Sequence, residues 1–171
     1  MKKIIFILLL SSFAINAQTK ETITQNRTNQ VGIKTKKDFR QQPHITWFDD
    51  SYQLYQLDQK TIKKLKKHLK NVHIKVFMAV WCHDSHREIP RLYKVLEAAN
   101  FNQDNLEVIA LNRAKKTPGN LQEGYNIIHT PTIIFLKNGQ EIGRYVEKPR
   151  GNLEKDILKI VKGKSYKHSY Q

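Results

Sequence analysis

Runs of apolar residues alternate along this chain with stretches in which apolar residues recur every three or four positions. Residues 72–80 and 106–111 are largely apolar and rich in valine and isoleucine, which is typical of strands buried on both faces of a sheet. Residues 132–136 form a third such run, and an Asn-Gly pair follows within 137–140. Because Asn-Gly is a strong hairpin signal, residues 141–146 are expected to pair back antiparallel.

Helical spacing fills the intervals between these strands. Asp58 suits a helix N-cap, and Ile62, Leu65 and Leu69 follow it on one helical face, with lysines on the others. A second helix is predicted from near Cys82. A short helix near 120–125 and a terminal helix over 151–161 complete the pattern.

The resulting order of elements is strand, helix, strand, helix, strand, hairpin strand, helix. This order predicts an α/β domain with a central mixed β-sheet flanked by helices on both faces. The domain is expected to span residues 55–162, and residues 163–171 are expected to form a frayed basic tail.

The segment before the predicted domain is polar and rich in lysine. Residues 18–43 have almost no apolar periodicity, and such a segment buries too little surface to offset the entropy of ordering it. Residues 18–54 are therefore predicted to be a flexible basic leader. Apolar residues around Trp47 and Tyr55 predict a short strand or a packing clip near its end.

The first seventeen residues have the layout of a secretory signal peptide. Lys2 and Lys3 give a positive start, residues 4–10 form an unbroken apolar run, and small residues lead to Ala17. The run is shorter than the roughly 20 residues that a membrane-spanning helix needs. We therefore expect cleavage after Ala17, export to the periplasm or extracellular space, and no stable membrane anchor afterwards.

The chain is strongly basic, with 30 Lys and Arg against 15 Asp and Glu and a formal net charge of +15. In a cytosolic protein this excess would indicate nucleic-acid binding. Export and the scattering of the lysines along predicted helix surfaces argue against that partner, so no nucleic acid is expected. The charge is interpreted as a solvated surface, with an anionic membrane face or an acidic partner as the alternative.

Cys82 is the only cysteine of the chain. It follows a predicted buried strand and begins a predicted helix, where unpaired N–H groups and the helix dipole favour an anion. The thiolate is the nucleophilic form of cysteine. A lone cysteine in an exported protein indicates a reactive thiol or an intermolecular disulfide, which includes a dimer linked through Cys82.

The residues around Cys82 resemble the active-site motif of the thioredoxin-like family, in which a tryptophan and a Cys-x-x-Cys pair are followed by a proline. Trp81, Cys82, Ser85 and Pro90 stand at these positions. Residues 129–132, His-Thr-Pro-Thr, resemble the cis-proline loop of the family. The resemblance covers about two thirds of the chain. In detail, the sequence around Cys82 is similar to that of exported bacterial proteins with a Trp-Cys-x-Asp-Ser centre. It implies a thioredoxin fold.

The resemblance also implies roles for individual residues. Cys82 would be the attacking thiol and Ser85 its neighbour in the catalytic centre, while an extended substrate chain would bond to the backbone of the cis-proline loop. The expected partners are protein or small-molecule thiols and disulfides, and no cofactor is expected. The residues expected to contact the substrate are Trp81, His83, Asp84, Thr130 and Pro131.

Two positions depart from the family pattern. Ser85 replaces the second cysteine, so Cys82 can attack a disulfide but another molecule must resolve the product. Val76 stands where many members have a buried acid that assists proton transfer. These departures predict monothiol exchange or isomerisation instead of net dithiol reduction.

Two other functions are compatible with the same residues. Loss of the resolving cysteine is also compatible with a non-catalytic module that holds a peptide in the thioredoxin groove. A copper or zinc site is the other alternative, because sulfur and imidazole ligands suit these metals. Its candidate ligands are Cys82, His83, Asp84, His86 and His129. The neighbouring Arg87 and Glu88 are expected to pair with residues on the helix surface.

Overall fold

A computed structural model describes residues 30–171, where a five-stranded sheet packs against five α-helices. The strands are β1 (Gly32–Lys34), β2 (Val72–Met78), β3 (Leu106–Ala110), β4 (Thr132–Lys137) and β5 (Gln140–Val146). The helices are α1 (Lys36–Phe39), α2 (Ile45–Leu54), α3 (Gln59–His68), α4 (His83–Ala98) and α5 (Leu153–Val161). Short 3₁₀ turns lie at Gln103–Asn105 and Pro118–Asn120.

The sheet is mixed, with strand order β1-β3-β2-β4-β5. The central strands β2 and β3 run parallel, and the other neighbouring pairs are antiparallel. Asn138 and Gly139 connect β4 to β5 with φ angles of 51° and 77°, as a tight hairpin turn requires. The predicted strands, hairpin and α/β class are confirmed.

The two faces of the sheet carry separate apolar clusters. Alternate residues of β2 face the larger cluster, which the helices share, and Val76 is fully buried there. Phe77 points to the other face, which is covered by Tyr125 and Ile127 from the connection between β3 and β4. That connection contains a 3₁₀ turn at Pro118–Asn120 instead of the helix expected near 120–125, and Gly119 breaks the helical geometry with a φ of 75°.

The predicted start of α3 is also confirmed. The Asp58 carboxylate accepts hydrogen bonds from the backbone N–H of Thr61, at 3.0 Å, and from its hydroxyl, at 2.8 Å. These bonds satisfy a donor that the first helical turn would otherwise leave unpaired.

The expectation of a flexible leader is wrong over its second half. β1 adds to the edge of the sheet through Ile33, which lies opposite Ile109. Phe39 and Phe48 are fully buried in the main cluster, where their rings stack with centroids 5.8 Å apart. The region expected to form a strand or clip is the helix α2. A few aromatic residues therefore anchor a segment whose average composition is polar.

The expected signal peptide and the first part of the leader lie outside the described residues. Within residues 30–171, no helix has both the length and the apolar composition needed to cross a membrane.

We predict that Phe39→Ala lowers the free energy of unfolding by about 3–5 kcal/mol, because it empties a closed aromatic site. Urea denaturation measures this change. The matched control is Leu54→Ala in the same segment, since Leu54 is 78% exposed and its loss should change stability by less than about 0.5 kcal/mol. Equal, small effects of both variants would contradict the inclusion of this segment in the domain.

Candidate functional site

The site begins where β2 ends and α4 starts. The chain turns after Met78, and the backbone N–H of Cys82 donates to the carbonyl of Ala79 at 3.0 Å. Cys82 is the N-cap residue of α4, and its own carbonyl accepts the first helical hydrogen bond from His86 N–H at 3.0 Å. The sulfur therefore lies beside the unpaired N–H groups of the first helical turn.

A second loop faces the cysteine. The Thr130–Pro131 peptide bond is cis, as the resemblance implied. The Cys82 thiol donates to the carbonyl of Thr130, with 3.1 Å between sulfur and oxygen. Both loop residues are buried, and the carbonyl of Pro131 accepts from the N–H of Glu147 at 2.8 Å. The end of β5 thus supports the loop from behind.

Ser85 is fully buried one helical turn after Cys82. Its hydroxyl accepts a hydrogen bond from the N–H of Ala79 at 3.2 Å, so it links the start of α4 to the end of β2. In this arrangement Ser85 supports the loop that carries the cysteine, and the hydroxyl is directed to the backbone of that loop.

The other expected contact residues form the rim of the site. Trp81 is 37% exposed, and the Arg113 guanidinium lies over its ring, 5.0 Å from the centroid. His83 is exposed, whereas Asp84 pairs with Arg87 at 2.7 Å. This pairing partly neutralises the acid two residues after the cysteine.

Two of the histidines in the metal alternative, His86 and His129, have other partners. The His86 ring stacks on Trp47 with centroids 4.3 Å apart, and its Nε2 lies 2.7 Å from the carbonyl of Val80. His129 Nδ1 lies 3.1 Å from a carboxylate oxygen of Glu147. Within residues 30–171, no three His, Cys, Asp or Glu side chains are grouped so as to hold a metal ion.

Glu88 differs from its expected place on the helix surface. The side chain is fully buried, and its carboxylate accepts hydrogen bonds from Tyr145, at 2.8 Å, from Arg87, at 2.6 Å, and from Arg91, at 3.2 Å. Burial, together with this carboxylate, raises the pKa of Tyr145. Glu88 shares helical spacing with Ser85 and Leu92, which was the sequence signal for an inward-facing position.

The C-terminal tail is folded against the site, whereas the sequence predicted that it would be frayed. The Tyr170 ring stacks on His129 with centroids 3.8 Å apart, and its hydroxyl donates to the Glu147 carboxylate. This hydrogen bond, with a smaller contribution from burial, raises the pKa of Tyr170 to about 12. The phenol is therefore a neutral donor at physiological pH.

A mixed sheet of this order, with a cysteine at a helix N-terminus facing a cis-proline loop, defines a protein of the thioredoxin fold. A family model described as thioredoxin matches residues 30–158, and the chain belongs to this thioredoxin-like family. The match begins at residue 30, before β1, in agreement with the place of β1 and α2 in the domain.

The chain is similar to solved structures of other proteins. A protein of unknown function from Pseudomonas aeruginosa is similar with a TM-score of 0.50 and 17% identity, over 68% of this chain and 82% of that one. Mitochondrial thioredoxin 3 from Saccharomyces cerevisiae, in its oxidised form, is similar with a TM-score of 0.33 and 21% identity, over 55% of this chain and 84% of that one. Among curated proteins, no match was found.

We predict that Ser85→Ala lowers the free energy of unfolding by about 1–3 kcal/mol, because the buried N–H of Ala79 loses its acceptor. Urea denaturation measures the loss, and His83→Ala, at an exposed position of the same helical turn, is the stability control. The folded variant should still form disulfide adducts at Cys82. Loss of adduct formation with unchanged stability would instead give the Ser85 hydroxyl a catalytic role.

Proposed function

We propose that this protein catalyses thiol-disulfide exchange through the single thiol of Cys82. The observation that carries the proposal is the position of its sulfur, at the N-terminus of α4 and 3.1 Å from the Thr130 carbonyl in the cis-proline loop. A nucleophile at a helix N-terminus is favoured in its anionic form, and the facing loop can align a disulfide-bearing chain.

The exchange proceeds in two balanced steps. Cys82 gives its proton to water, and the thiolate attacks one sulfur of a disulfide, which forms a mixed disulfide and releases the other sulfur as a thiolate. A small thiol of the glutathione class then attacks the mixed disulfide and releases Cys82. The departing thiolates take up protons from water. Cys82 ends as the free thiol that began the reaction, so the protein undergoes no net oxidation or reduction.

An external thiol is required because the chain contains one cysteine. Ser85 occupies the place of a resolving residue, and its hydroxyl is bonded to Ala79. A serine hydroxyl cannot form a disulfide. The proposed activity is therefore isomerisation or transfer between partner thiols.

The substrate is proposed to be an extended polypeptide that carries a disulfide. Trp81, which directly precedes Cys82, offers a partly exposed ring, and the backbone of Thr130 offers polar groups of the kind that bind an added strand. The Thr130 carbonyl becomes free to accept from the substrate once the Cys82 thiol loses its proton.

The proposed location is the periplasm or the extracellular space. The pattern of residues 1–17 supports export, and disulfide substrates persist in oxidising compartments. We expect the mature protein to begin at Gln18, which N-terminal sequencing of protein from the exported fraction can check. A retained Met1 in that fraction would contradict the proposed cleavage.

We predict that the wild-type chain forms a mixed disulfide with an S-glutathionylated peptide, and that reduced glutathione restores free Cys82. Mass spectrometry of the intact protein measures both steps. Cys82→Ala should form no adduct, because no other thiol is present.

The same experiment separates the two main functions. If the wild-type chain forms no adduct, exchange is excluded. If Cys82→Ala also binds the S-glutathionylated peptide as tightly as wild type does, the result supports a non-catalytic binding module. Adduct formation that glutathione cannot reverse would contradict turnover while leaving Cys82 as a reactive thiol.

A further inference from the structure

The last nine residues follow a defined path across the molecule. After α5, the Tyr166 hydroxyl donates to the buried carboxylate of Asp156 at 3.4 Å. Further along, the Ser169 hydroxyl donates to the carbonyl of Lys148 at 2.8 Å. These two contacts carry the chain end to the loop that follows β5.

The tail ends in a notch formed by His129 and Glu147. Tyr170 stacks on the His129 ring at an interplanar angle of 12° and donates its hydroxyl to Glu147. His129 directly precedes Thr130–Pro131, and Glu147 N–H donates to the carbonyl of Pro131. The notch is thus continuous with the cis-proline loop that faces Cys82.

The notch has the features of a side-chain subsite. It offers a flat ring for stacking, which favours an aromatic partner, and a carboxylate that accepts a hydroxyl hydrogen bond. Tyr170 remains 47% exposed in this place, and none of residues 162–171 is buried. Segments with few buried contacts open at low free-energy cost.

We propose that the His129–Glu147 notch is an aromatic subsite of the substrate-docking face, and that the chain's own Tyr170 occupies it until a partner displaces it. The partner is an extended polypeptide with a tyrosine side chain near its disulfide. This inference rests on the proposed function, which makes the surface beside the cis-proline loop a substrate-docking face. Binding of a tyrosine side chain at the notch does not itself require the Cys82 thiol.

The test uses a fluorescent peptide with the sequence of residues 167–171, KHSYQ, which contains no cysteine. We predict that Tyr170→Ala in the mature chain binds this peptide about tenfold more tightly than wild type, because a tethered ligand competes at millimolar effective concentration. Fluorescence anisotropy measures the affinity. A peptide with alanine in place of its tyrosine should bind neither protein.

The control variant is Ser165→Ala, an exposed position of the same tail, which should bind the peptide as wild type does. Equal affinity of wild type and Tyr170→Ala would overturn the proposal, and so would equal binding of the alanine peptide.

A second readout separates this proposal from the exchange activity. Tyr170→Ala should accelerate adduct formation at Cys82 with a tyrosine-containing peptide disulfide and leave the rate with cystamine unchanged. If Cys82 reacts with neither disulfide, the exchange mechanism fails, and the anisotropy result still decides the subsite. Equal acceleration with both disulfides would indicate simple uncovering of Cys82 and would contradict a side-chain subsite.

Discussion

The pairing of β2 with β4 is the constraint on which the site depends. Their register sets Phe77 opposite Thr132, so β2 ends beside the residue where β4 begins. The two loops beyond these strands must therefore meet, and they bring the Cys82 sulfur within 3.1 Å of the Thr130 carbonyl. The Ser85–Ala79 hydrogen bond then holds the start of α4 to the end of β2. The register between β2 and β4 thus determines the position of the Cys82 thiol.

Local patterns predicted the parts of the fold that depend on local chemistry. Continuous apolar runs identified the central strands, Asn138-Gly139 identified the hairpin, and Asp58 identified a helix start. Long-range contacts decided the remainder. Phe39 and Phe48 are buried and anchor the segment before residue 55, although the average composition of that segment is polar. The buried Glu88 carboxylate accepts a hydrogen bond from Tyr145, which lies 57 residues away in the sequence. Tyr170 stacks on His129. Neither Tyr145 nor His129 can be inferred as a partner from the residues next to Glu88 or Tyr170.

The site combines the thioredoxin fold with a small set of reactive groups. In the proposed exchange, the single thiol attacks a disulfide, whereas the buried Ser85 and Val76 cannot resolve the product within the chain. The proposed exchange would therefore depend on a second thiol and on selection of a partner. The proposed subsite beside the cis-proline loop would provide such selection, because a ring that stacks and a carboxylate that accepts a hydroxyl can recognise a side chain.

The central claim is that folding makes Cys82 a better nucleophile. The most direct measurement compares its rate of reaction with cystamine at pH 7 in the native chain and in the same chain unfolded in urea. We expect a faster reaction in the native chain, because unpaired N–H groups at a helix N-terminus favour an anionic nucleophile. A native rate equal to or below the unfolded rate would contradict an activated thiol.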